Sequence, residues 1–211
     1  MSKKNMFAEL RRKLDDAITY GTKKESMAIA SRGIKEARAK RLPGETEYFS
    51  AQKYIIRNEC AMAIPHLDEA IRHNPADGAA YNDRALCMVG LGIIDEAFAY
   101  FDKGISAEPD YATIYHNKGW LLNNIGRHTE AVHYFRKALE LEPGRAVTYD
   151  NLADALYNLS DLEGALEAYR KVLELLERGS CLDIRRQIET RIKNLEREIC
   201  ISKPSSGKIT Q

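Results

Sequence analysis

The 211-residue sequence predicts an all-α fold of stacked antiparallel helix pairs, and three observations lead there. The prolines of NPAD, EPDY and EPGR, at Pro75, Pro109 and Pro143, stand 34 residues apart both times. The same period carries Tyr81, Tyr115 and Tyr149; Ala63, Ala97, Ala131 and Ala165; Leu67, Phe101, Phe135 and Tyr169; and Ala70, Gly104, Ala138 and Val172. Within a period the spacing is helical: Tyr115, Gly119, Leu122 and Gly126 are expected on one face of a first helix, and Ala131, Phe135 and Ala138 on the facing stripe of a second.

Each slot has a physical reason. Close helix crossings tolerate little more than a methyl group, hence the alanines, and the aromatic fills the space beside them. Pro143 ends the second helix, because the residue before a proline is pushed out of the helical region. A pair of helices of about a dozen residues each is marginal alone, so such units bury their faces by stacking in arrays.

The pattern resembles the tetratricopeptide repeat, best in YHNKGWLLNNIGRHTEAVHYFRKALELEP, residues 115–143. The resemblance implies a right-handed α-solenoid. In chain order, residues 1–10 are expected as a basic lead. Residues 11–43 form a divergent repeat on Leu14, Ala17, Ile18, Ala30, Ile34, Ala37 and Pro43. Residues 44–77 form a degenerate repeat that keeps Tyr54, Ala63, Leu67, Ala70 and Pro75 but has Glu47 where the tyrosine would be. Repeats follow at 78–111, 112–145 and 146–179, the last with Glu177 in the proline slot. At 180–201, Ile184, Ile188, Ile192, Leu195 and Ile199 make one apolar stripe, read as a capping helix or as a coiled-coil seam with another copy. The tail 202–211 is small and polar and is expected to be disordered.

Composition narrows the function classes. The chain is 44% hydrophobic, enough for a buried core. Its apolar runs are short and the start MSKKNMFAELRRKL has no apolar secretory core, so neither a membrane span nor export is expected and the protein reads as cytoplasmic. Cys60, Cys87, Cys181 and Cys200 show no CxxC and no histidine at metal-ligand spacing, and read as separate reduced thiols. The net charge of +1 is unevenly spread: residues 1–43 carry +7, 44–77 carry −3, 78–179 carry −6 and 180–211 carry +3. The acidic middle has the wrong sign for nucleic acid.

Nucleotide-binding, metalloprotease, esterase and calcium-loop motifs are absent, so no catalytic residue, cofactor or metal site is expected. His128 and His133 are five apart and would not share a helical face, and His66 and His73 have no completing ligand. Asp95, Glu96 and Glu130 fall at starts of second helices, where negative charge favours the helix dipole.

In tetratricopeptide arrays the first helices line the concave side, and the resemblance places a partner there. The groove residues it implies are Tyr48 and Gln52; Asn82, Asp83 and Leu86; His116, Asn117, Trp120, Asn123 and Asn124; and Asp150, Asn151, Asp154, Tyr157 and Asn158. Asp83, Asn117 and Asn151 share one slot, a ladder that would pair with an extended peptide or bridge neighbouring helices. Trp120 is an anchor in the groove or a wedge between helices. Val147 and Asn151 stand where co-chaperones of this family clamp a terminal carboxylate with basic side chains, so that clamp is not expected. Asp83, Asp150 and Asp154 favour a basic or neutral segment.

The sequence therefore reads as a non-enzymatic scaffold or adaptor that binds a peptide or helical segment of another protein. The alternative is a structural scaffold that self-assembles as a homo-oligomer or is recruited to a membrane surface, using the basic N-terminus and the C-terminal helix.

Overall fold

The computed structural model describes residues 3–176 and 182–202, and these form eleven α-helices. They gather into two compact units, Met1–Ile114 and Tyr115–Gln211. The first holds α1 (Lys3–Tyr20), α2 (Lys23–Ala39), α3 (Pro43–Ile56), α4 (Cys60–His73), α5 (Gly78–Gly90), α6 (Ile94–Ala107) and the first turn of α7 (Ala112–Asn124). The second holds the rest of α7, then α8 (His128–Leu141), α9 (Ala146–Asn158), α10 (Leu162–Leu175) and α11 (Leu182–Ser202). The expectations at Glu177, at Cys181 and over nearly all of the tail lie outside the described residues. No described helix is long and apolar enough to cross a membrane.

The period is visible in the backbone. Second helices end at Ala39, His73, Ala107, Leu141 and Leu175, each 34 residues after the last. The turns inside the pairs repeat as well: Asn58, Gly92, Gly126 and Ser160 all have φ between 63° and 81°. In each, the following amide reaches back to close the helix, as Glu59 N does on Tyr54 O at 2.9 Å and Arg127 N on Leu122 O at 2.9 Å. This is the left-handed helix stop that glycine adopts without strain and that asparagine tolerates. Gly126 is thereby corrected: it is exposed in the turn after α7, not on that helix's core face.

Two further expectations shift. Residues 1–10 are mostly helix, because Phe7 and Leu10 give α1 a buried face and make it more than a charged lead. Pro43 opens α3 instead of closing α2, at the first helical position where a missing N–H costs nothing. Several starts are capped by side chains: Thr22 Oγ1 accepts from Glu25 N at 3.2 Å, Asp77 Oδ1 from Ala80 N at 3.2 Å and Asp161 Oδ1 from Gly164 N at 3.0 Å.

In the first unit Leu14, Phe49, Leu67 and Phe101 are buried among Ala30, Ala37, Ala63, Ala70 and Ala97. Contact between α2 and α3 depends on Gly33, since a Cβ there would lie 2.4 Å from the Phe49 ring. In the second unit Leu122, Phe135, Ala131, Ala138, Ala153 and Ala165 make the core. The α11 stripe is used inside the chain: Ile188 and Leu195 are buried, Ile192 and Ile199 are half-buried, and Ile184 at the start remains exposed.

Candidate partner-binding surface

Helix α1 brings Arg11 over the first unit's first helices. Its guanidinium donates to Asp77 Oδ1 and Oδ2 at 2.9 and 2.7 Å and to Glu45 at 3.2 and 3.3 Å, and lies 3.7 Å from the centre of the Tyr48 ring. Tyr48 is therefore covered, not offered to a partner, and burial holds its hydroxyl well above the ordinary value. Gln52 and Asn82 are also buried, and both donate to Asp83, at 2.5 and 3.0 Å. Of the residues expected to line the groove in this unit, only Asp83 and Leu86 keep partial exposure.

Asp83 sits in an environment hostile to charge. Burial first, then the charge of Asp15, push its carboxyl up to about 7, against the hydrogen bonds from Asn82, Gln52 and Tyr48. A carboxyl raised in the folded state contributes stability that is full below about 4 and is lost as pH rises to about 7.

In the second unit His116 is buried, shares a 3.0 Å hydrogen bond with Thr148 Oγ1, and packs 5.8 Å from the Phe135 ring. Burial, helped by the charge of Arg145, lowers its pKa to about 4, so its contribution has the opposite sign: present above about 6.5 and lost as pH falls to about 4. The two groups lie in different units, so through them the first unit should lose stability as pH rises from about 4 to 7 and the second as pH falls from about 6.5 to 4. Asp83→Asn should raise the stability of the first unit by about 2 kcal/mol at pH 8, roughly half the ~4 kcal/mol ceiling set by the shift, and should remove its slope. Urea midpoints at pH 4.5, 6 and 8 check this; an Asp83→Asn chain no more stable than wild type at pH 8 would refute it.

The acids expected at the far side of the groove are taken. Arg191 of α11 pairs with Asp150 Oδ1 at 3.1 Å and Asp154 Oδ1 at 3.2 Å and lies 5.5 Å from the Tyr169 ring, whose hydroxyl also bonds Asp154. Burial holds Asp150 above the usual carboxylate range, Arg191 opposing and Asp154 adding to it. Asp150 and Asp154 thus anchor the last helix, a role the sequence reading missed although the +3 charge of that segment hinted at it. Asn123 is likewise engaged, with Oδ1 2.6 Å from His128 Nδ1 across the turn to α8.

Beside the paired acids and exposed Val147, what stays accessible on α7 and α9 includes aromatic and amide side chains. Asn124, Tyr157 and Asn158 are exposed, and Asn117, Trp120 and Asn151 are half-buried. At Asp83 the slot bridges neighbouring helices, since Gln52 of α3 donates to it.

Tetratricopeptide repeat family models match residues 57–112 and 112–178, together more than half of the chain. The chain is a tetratricopeptide repeat protein. No curated protein matches its sequence. Among solved structures, the thermophilic tetratricopeptide protein TTC0263 of Thermus thermophilus is similar at TM-score 0.69 and 18% identity, over 90% of this chain and 98% of that one. MamA of Desulfovibrio magneticus RS-1 is similar at TM-score 0.58 and 22% identity, over 74% of this chain and 96% of that one. YrrB, a tetratricopeptide protein with an unusual peptide-binding site, is similar at TM-score 0.56 and 17% identity, over 90% and 88%. At such identities the likeness is one of fold: the all-α tetratricopeptide architecture expected from the sequence.

Proposed function

We propose that this tetratricopeptide repeat protein is an interaction scaffold whose second unit takes an extended, neutral segment of another protein across α7 and α9. One observation carries the reading: the acids on these first helices are paired with Arg191, and beside them Tyr157, Asn124 and Asn158 are exposed and Trp120 is half-buried. Side-chain amides both donate and accept, which suits the main chain of a peptide of any sequence. An aromatic residue supplies the apolar anchor at low entropic cost. The peptide-binding site of the structurally similar YrrB supports a peptide ligand. A basic segment is disfavoured by the same observation, since Arg191 already holds the carboxylates that would attract it.

Selection of a displayed random-peptide library on the purified chain tests this. Neutral sequences should be enriched, and Trp120→Ala should weaken their binding by tenfold or more, roughly 1–2 kcal/mol. Arg191→Ala, which unmasks Asp150 and Asp154, should shift enrichment towards lysine and arginine. Enrichment of basic peptides by the unaltered chain, or full binding by both Trp120→Ala and Tyr157→Ala, would sink the proposal.

A further inference from the structure

Two of the cysteines that look unrelated in the sequence, 27 positions apart, meet in the first unit. Cys60 is the first residue of α4 and half-buried; Cys87 is on α5 and buried. After burial, the Cys60 thiol is the neighbouring group that most raises the Cys87 thiol. Their proximity also shows in the packing. Gly90 lies one turn beyond Cys87, on the same face of α5, and a Cβ built on Gly90 would stand 3.2 Å from Cys60 Sγ. The sulfur of Cys60 thus occupies room that the missing Gly90 side chain leaves, beside Cys87, in one apolar cluster.

We propose that Cys60 and Cys87 are a dithiol modification site that peroxide converts to a disulfide, joining the start of α4 to α5. The partly exposed Cys60 reacts first: its sulfur attacks one peroxide oxygen, the O–O bond breaks, and a sulfenic acid and one water form. Cys87 then attacks that sulfur; the S–S bond forms, the S–OH bond breaks, and the hydroxyl leaves with the Cys87 proton as a second water. Two thiols lose two electrons and peroxide gains them. Burial holds the Cys87 thiol well above its ordinary value, which leaves the partly exposed Cys60 as the first of the two to react. Forming the bond requires the sulfurs to close to about 2.05 Å, a movement available to a residue in the first turn of a helix.

The full-length chain treated with hydrogen peroxide, then alkylated, decides the matter. Two of the four thiols should be lost to alkylation, the intact mass measured before alkylation should fall by about 2 Da, and trypsin should yield one reducible linked pair, Asn58–Arg72 with Ala85–Lys103. Cys87→Ser should leave a Cys60 sulfenic acid that a dimedone probe captures, and Cys60→Ser should leave Cys87 unreacted. Cys60 linked to Cys181 or Cys200, Cys60 advancing to sulfinic acid in wild type without the linked pair, or Cys87 oxidised as fast in Cys60→Ser, would each overturn the proposal. Because the readout is made on the wild-type chain, it stands even if a serine variant folds poorly.

Discussion

Arg11→Ala should lower the stability of the first unit by about 3–5 kcal/mol. The guanidinium is the shared partner of Asp77 and Glu45, and Asp77 is only 6% exposed. Truncation leaves two carboxylates facing one another with no cation between them, and one of them has no water to turn to. Glu45 already shows the pressure: burial raises its carboxyl pKa even with Arg11 opposing. Asp77 also caps α5, so repulsion that moves it disturbs the Ala80 N bond too. The deficit should be largest at pH 8 and shrink towards pH 4, as protonation removes the carboxylate charges. A thermodynamic cycle with Asp77→Asn measures the coupling; a loss under 1 kcal/mol, or additive single effects, would show that the cluster contributes little.

Arg11 also reassigns part of the N-terminal charge. In the sequence it is one of twelve basic residues in 43, legible only as part of a patch suited to an acidic surface of another copy. Its acidic partners are in its own chain, 34 and 66 residues away.

The repeat period carried the fold, because small, aromatic and proline slots are imposed by helix crossings and helix ends, which recur whenever the unit recurs. Leu67, Phe101 and Phe135, with Ala63, Ala97 and Ala131, follow from that rule. Gly126 was misplaced because its spacing satisfies a helical face as well as a turn, and only its φ of 81° separates the two. The candidate surface was less legible. Slot position says which helical face a side chain occupies, but not what neighbouring units bring to it. Tyr48 under Arg11, Asp150 and Asp154 under Arg191, and Cys60 against Cys87 are pairings between helices that follow no 34-residue rule.

Phe135→Ala should cost the second unit about 3–5 kcal/mol. The ring is fully buried and lies against α7, where a Cβ on Gly119 would come within 3.0 Å of it. The cavity should also admit water beside His116, whose ring is 5.8 Å away, and return its pKa from about 4 towards about 6.5. Nuclear magnetic resonance titration of the imidazole reads that change separately from the loss of stability, which the single tryptophan, Trp120, reports by fluorescence. Gly119 supplies the control. In wild type, Gly119→Ala should destabilise, since the new methyl has only the Phe135 ring and the Ala131 carbonyl to meet. In the Phe135→Ala background the ring is gone, and the helical preference of alanine over glycine, about 1 kcal/mol, should make the same substitution stabilising. A change of sign identifies close approach as the reason for the glycine. The same sign in both backgrounds would mean that α7 and α8 do not pack through this pair.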